Sequence, residues 1–99
     1  MVSTPSPSAL RDLTGNAPLV DCAQAAMSVA DALQRAPHRG AQLMGVATSF
    51  LIMTACAGLT PSDLMGMARN CMNTAEGRRP EFAAVEDYIN KEIFNSHGR

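Results

Sequence analysis

The sequence predicts an all-α fold, either a compact four-helix bundle or two stacked helical hairpins, behind a flexible N-terminal leader. Three observations lead there. Apolar residues recur at three- and four-residue steps through most of the chain, which is the period of a helix face. No stretch alternates apolar and polar residues as a half-buried strand does. Proline and glycine then cut the chain into four helical lengths joined by short loops, which favour antiparallel neighbours.

Ninety-nine residues make one domain. Apolar residues are 46% and charged residues 17%. That is a globular composition, but the charged share lies below the usual ~25%, so part of the surface has to be apolar or uncharged. The opening "MVSTPSPSAL" carries Pro and Ser and no apolar run. Residues 1–15 are therefore expected to be a flexible leader and residues 16–99 the helical domain. The opening also lacks the basic start and apolar core of a secretory signal, so none is expected.

The first predicted helix runs from about Pro18 to Ala36. Asn16 is its candidate cap, Pro18 suits the first turn, and Asp21 complements the positive helix end. Leu19, Cys22, Ala23, Ala26, Val29, Ala30 and Leu33 form one apolar stripe, with Asp31, Gln34 and Arg35 opposite. Pro37 then ends this helix or starts the next. The second covers Arg39 to Ala57 and stops at Gly58, because glycine tolerates the left-handed conformation at a helix end. The strongest boundary is "LTPSDL": Thr60 as cap, Pro61 as first helical residue, Asp63 three residues after the cap, and Leu59 with Leu64 as a hydrophobic staple. The third helix is expected to reach Ala75, just before Gly77, burying Leu64, Met67, Ala68, Cys71 and Ala75. After the linker "EGRRP", the fourth runs from about Pro80 to Asn95 with Phe82, Val85, Tyr88, Ile89 and Ile93 on one side. Asp87 and Lys91 form an i,i+4 ion pair on the other.

The most informative stretch is Gly40 to Ser62, which contains no charged side chain. It is long enough to cross a bilayer, which takes about 20 residues. Gln42, Thr48, Ser49 and Thr54 interrupt it, however, and no aromatic belt flanks it. A membrane-inserted protein is thus an alternative reading and a soluble one is preferred. With no charged face, the second helix must be covered on nearly all sides, and three short neighbours cannot surround it. A second copy is the simplest cover. The stripe Gly45, Ser49, Met53 and Cys56 is small or pliable and lets two backbones approach, so a homodimer or larger homo-oligomer is expected. A monomer wrapped by its own helices is the competing arrangement.

Methionine is dense in this chain, and its flexible, polarizable side chain suits adaptable surfaces. Met65 and Met72, seven residues apart and flanking Arg69, are the candidate partner-binding patch; gap-filling in an Ala-rich core is the alternative. Arg78 and Arg79 at the start of the fourth helix could clamp an anion or small nucleotide, although Glu81 opposes this and a solvated linker explains them too. A helix-turn-helix built on the last two helices would present Glu81, Glu86 and Asp87 to DNA, the wrong sign for base edges and phosphates. With a net charge of −1, nucleic acid is not an expected partner.

Catalysis has no support in the pattern. His38 and His97 stand apart from any nucleophile, and no Gly-rich phosphate loop or HExxH occurs. Cys22, Cys56 and Cys71 are odd in number and have no CxxC spacing, so they read as free thiols of a reducing cytoplasm rather than disulfides or zinc ligands. No cofactor or metal is expected. Arg far outnumbers Lys and Ala is abundant, a bias of GC-rich bacterial or phage genes. The reading is therefore a small cytoplasmic adaptor or inhibitor that is not an enzyme. It acts by binding another protein through an apolar, Met-containing helical surface. A regulator that sequesters an anion at Arg78 and Arg79 is the alternative.

Overall fold

Three of the five helices among the described residues open on a proline, whose preset φ and missing N–H suit a first helical turn. The computed structural model describes residues 6–94. The first five residues of the leader, Asn95 at the expected end of the fourth helix, and His97 lie outside them. The order is α1 (Pro7–Gly15), α2 (Leu19–Leu33), α3 (Arg39–Ala57), α4 (Pro61–Met72), β1 (Asn73–Thr74), β2 (Gly77–Arg78) and α5 (Pro80–Ile89), which continues as one π-helical turn, Asn90–Phe94. The fold is all-α, with a two-residue antiparallel ladder as its only sheet among the described residues.

Most of the leader read as flexible is α1. Ser6 Oγ accepts the Ala9 N–H at 3.1 Å and Pro7 takes the first helical position. The helix buries none of its residues, so no apolar stripe announced it. It is held from outside, by the Arg11–Asp63 ion pair at 3.2 Å and by Pro7 lying against Gly58. Asn16, expected to cap the next helix, instead closes α1 and donates to the Asp12 carbonyl. Pro18 occupies the N-cap position of α2.

The core lies between α2 and α5, where Ala23, Phe82 and Val85 are buried together. Leu19, Cys22, Ala26, Met27, Cys71, Met72 and Ile89 pack against them. Val29, expected in the stripe, is exposed. Asp31 and Gln34, expected to face water only, meet Tyr88: its hydroxyl donates to Asp31 Oδ1 at 3.0 Å and accepts from Gln34 Nε2 at 3.1 Å. The helix pairs in closest contact are α2 with α5 and α3 with α4.

α3 has the expected bounds, and His38 Nδ1 caps it by accepting the Ala41 N–H. At its far end Gly58 is left-handed (φ 76°), with Gly58 N–H on the Ala55 carbonyl and Leu59 N–H on the Thr54 carbonyl. These two bonds are the paired C-terminal lock that a left-handed glycine permits. Thr60 caps α4 through the Asp63 N–H at 3.1 Å. The Asp63 carboxylate serves Arg11 instead of the reciprocal capping bond. α4 stops at Met72 rather than Ala75, because Asn73 turns extended and its side-chain amide takes the Arg69 carbonyl. Ala68 is exposed, and Ala75 stands in the hairpin turn.

Gly58→Ala is expected to cost about 1–2 kcal/mol from the left-handed backbone alone. The added Cβ would also stand 2.7 Å from Pro7 Cγ, forcing α1 to shift. A lowered melting temperature together with altered α1 resonances in an amide NMR spectrum checks both effects. For Tyr88, loss of solvent, then the hydrogen bond and charge of Asp31, push the hydroxyl pKa above its ordinary range. A raised folded-state pKa contributes stability that is complete below about pH 10 and is lost as pH rises through the folded value. Melting curves above pH 10 should fall more steeply for the natural chain than for Tyr88→Phe.

Candidate functional site

The burial pattern of α3 is inverted. Its two buried residues are polar, Gln42 at 5% exposure and Thr54 at 1%. Six of its large apolar residues face out, Met53 at 71%, Met44 at 63%, Ile52 at 62% and Leu43 at 58%, with Leu51 and Val46 also exposed, while Phe50 is half-buried. Both polar residues are satisfied within the fold, as buried polar groups must be. Gln42 Nε2 donates to the Leu33 carbonyl at 3.1 Å, closing the end of α2, and Gln42 Oε1 accepts from Arg39. The Thr54 hydroxyl reaches back to the Phe50 and Leu51 carbonyls at 3.0 and 2.9 Å. Arg39 also lies over the Phe94 ring, 5.8 Å from its centre.

At 100° per residue, the exposed apolar positions between Gln42 and Thr54 fall on several sides of the helix. Of the expected self-association stripe, Ser49, Met53 and Cys56 are exposed, and Gly45 is half-buried with its α-carbon facing Leu33. α3 is also long and apolar enough to cross a bilayer by length and composition.

The second candidate patch divides. Met65 and Arg69 are exposed, whereas Met72 packs against the core beside Phe82. Met65 and Met72 thus do not form one open surface, and gap-filling describes Met72.

The arginine pair divides too. Successive residues of an extended segment point to opposite faces. Arg78 lines a cavity of about 450 Å³ beside Phe82 and Phe94 and lies 3.9 Å from Glu86. Arg79 lines a different cavity of about 250 Å³ with Thr14, Asn70 and Cys71. The expected two-guanidinium clamp is not assembled.

Sequence spacing missed the meeting of Cys22 and Cys71, whose thiols lie close enough across α2 and α4 for one to influence the ionisation of the other. Burial, then Cys22, push the Cys71 pKa up, against the lowering influence of Arg79. Cys56 is exposed on α3. Among the described residues no three His, Cys, Asp or Glu side chains converge as a metal-binding group. Comparison with protein-family models, with curated proteins and with solved structures gives no match to this chain.

Alkylation in dilute solution at neutral pH should modify Cys56 first and Cys71 more slowly, since a raised pKa lowers the thiolate fraction. Peptide mapping by mass spectrometry checks the order.

Proposed function

We propose that this chain is a non-enzymatic protein-interaction module, of the adaptor or inhibitor kind, and that α3 is its binding face. One observation carries the reading: α3 buries two polar side chains and leaves six large apolar ones in the open. Contiguous apolar surface of this kind on a soluble protein marks an interaction site. A second copy is the first partner. Its α3 lies along Ser49, Met53 and Cys56, where small and pliable side chains allow close approach, and a two-fold axis makes the contact self-complementary. The working location is the cytoplasm, in keeping with three free thiols.

One observation favours a membrane as the alternative cover. The 19 residues of α3 span about 28 Å at 1.5 Å per residue, close to the ~30 Å bilayer core. Connectivity weighs against a span. α2 precedes α3 and α5 follows it, so a spanning α3 would separate them by the bilayer. The Ala23–Phe82–Val85 core and the Tyr88–Asp31 bond need both on one side.

Light scattering at micromolar concentration should give a particle larger than the 10.5 kDa chain, soluble without detergent. Met53→Asp should reduce it to a monomer with an unchanged circular dichroism spectrum, because the residue is outside the core. A natural chain that stays at 10.5 kDa removes the dimer, and one that floats with liposomes transfers α3 to the membrane reading.

A further inference from the structure

Two cavities meet where α1, α2, α4 and the start of α5 converge. The larger, about 310 Å³, has an almost wholly apolar wall that includes Cys22, Ala26, Leu64, Met67 and Phe82. That volume is at the lower end of the ~300–1,000 Å³ range of small-molecule pockets. The other is the cavity of about 250 Å³ lined by Arg79 and Asn70. Thr14, Met67 and Cys71 belong to both walls, so the two spaces adjoin.

Arg79 is the residue that gives this place a chemistry. Its Nε is buried and has no hydrogen-bond partner among the described residues. A buried donor on a cation is costly when unpaired. Neither lining contains an acidic residue, and Cys71, which shares the wall with Arg79, has its pKa raised and keeps its proton at neutral pH. The positive charge thus lines the smaller, partly polar cavity, the apolar chamber adjoins it, and neither wall supplies a counter-charge.

We infer that this junction binds a small carboxylate with a hydrocarbon tail, of the medium-chain fatty acid class. The carboxylate sits against the Arg79 guanidinium, which matches its planar geometry, with the Asn70 amide beside it. The tail enters the chamber among Cys22, Leu64, Met67 and Phe82. One guanidinium suits a monoanion better than a phosphate dianion, and the small chamber excludes a long chain. This site is separate from the exposed face of α3, so either can fail without the other.

Octanoate is the probe, titrated calorimetrically into the full chain below its micelle concentration, with octanol and octylamine in parallel. Octanoate should bind saturably, and octanol about tenfold or more weaker, the effect of losing one charge-assisted hydrogen bond. Octanoate should slow alkylation of Cys71 and leave Cys56 on α3 unaffected. Arg79→Met should remove the preference for octanoate over octanol and leave the unliganded melting temperature unchanged or raised, since it deletes an unpaired buried donor. No saturable octanoate binding at millimolar concentration overturns the inference. So does equal affinity for octanol, or protection of Cys56 in place of Cys71. Should Arg79→Met misfold, the octanoate–octanol ratio on the natural chain still decides.

Discussion

The constraint that sets α3 apart is that the side chains it turns inward are polar. Gln42 ties the start of α3 to the Leu33 carbonyl of α2, whereas Thr54, buried near the other end, turns its hydroxyl back onto the Phe50 and Leu51 carbonyls of its own helix. Gln42 also closes the C-terminus of α2, so the α2–α3 corner and the N-terminal anchor are one interaction. At the other end the left-handed Gly58 lets α3 turn into α4, with Pro7 of α1 packed against it. Between these two positions Phe50 is half-buried, but six large apolar side chains remain exposed. Burying polar residues and exposing apolar ones is the reverse of what stabilises an isolated helix on a core. The arrangement is sensible when the outward face has a partner.

The rest of the domain is built economically. Its buried cluster is Ala23, Phe82 and Val85, two of them small, with half-buried sulfur side chains completing the packing. A domain of this length buries only about two-thirds of its unfolded surface and is marginal on that account. Covering α3 would add apolar burial worth roughly 25 cal/mol per Å². Under the proposed self-association, contact between copies would complete the hydrophobic part of the fold and make concentration a determinant of stability. The Arg79 junction shares no lining residue with α3.

Local chemistry made much of the architecture legible. The bounds of α3, the left-handed Gly58, the Thr60–Pro61 start of α4 and the Pro80 start of α5 all depend on residues within one turn of the boundary. The apolar stripe of α5 was legible for the same reason, and Phe82, Val85 and Ile93 are buried as their spacing implies. What was not legible depends on distant residues. α1 has no buried stripe of its own and is held by Asp63 and Gly58, some fifty residues on in the chain. The ladder at Asn73–Arg78 is too short to alternate. Arg78 and Arg79 looked like one clamp in sequence and diverge because extended backbone sends neighbours to opposite faces. The uncharged run of α3 pointed to a need for cover, but only the fold reveals that Gln42 and Thr54 are the residues turned inward.

The most direct test of the central claim is the rate at which Cys56 is alkylated, at fixed reagent excess, as the chain is concentrated. Cys56 lies on the exposed stripe of α3, and its thiol reports whether that stripe is covered. If α3 is shielded by a second copy, the rate falls as concentration rises, while the Cys71 rate stays constant. A Cys56 rate independent of concentration, from a chain that remains a monomer throughout, contradicts the account.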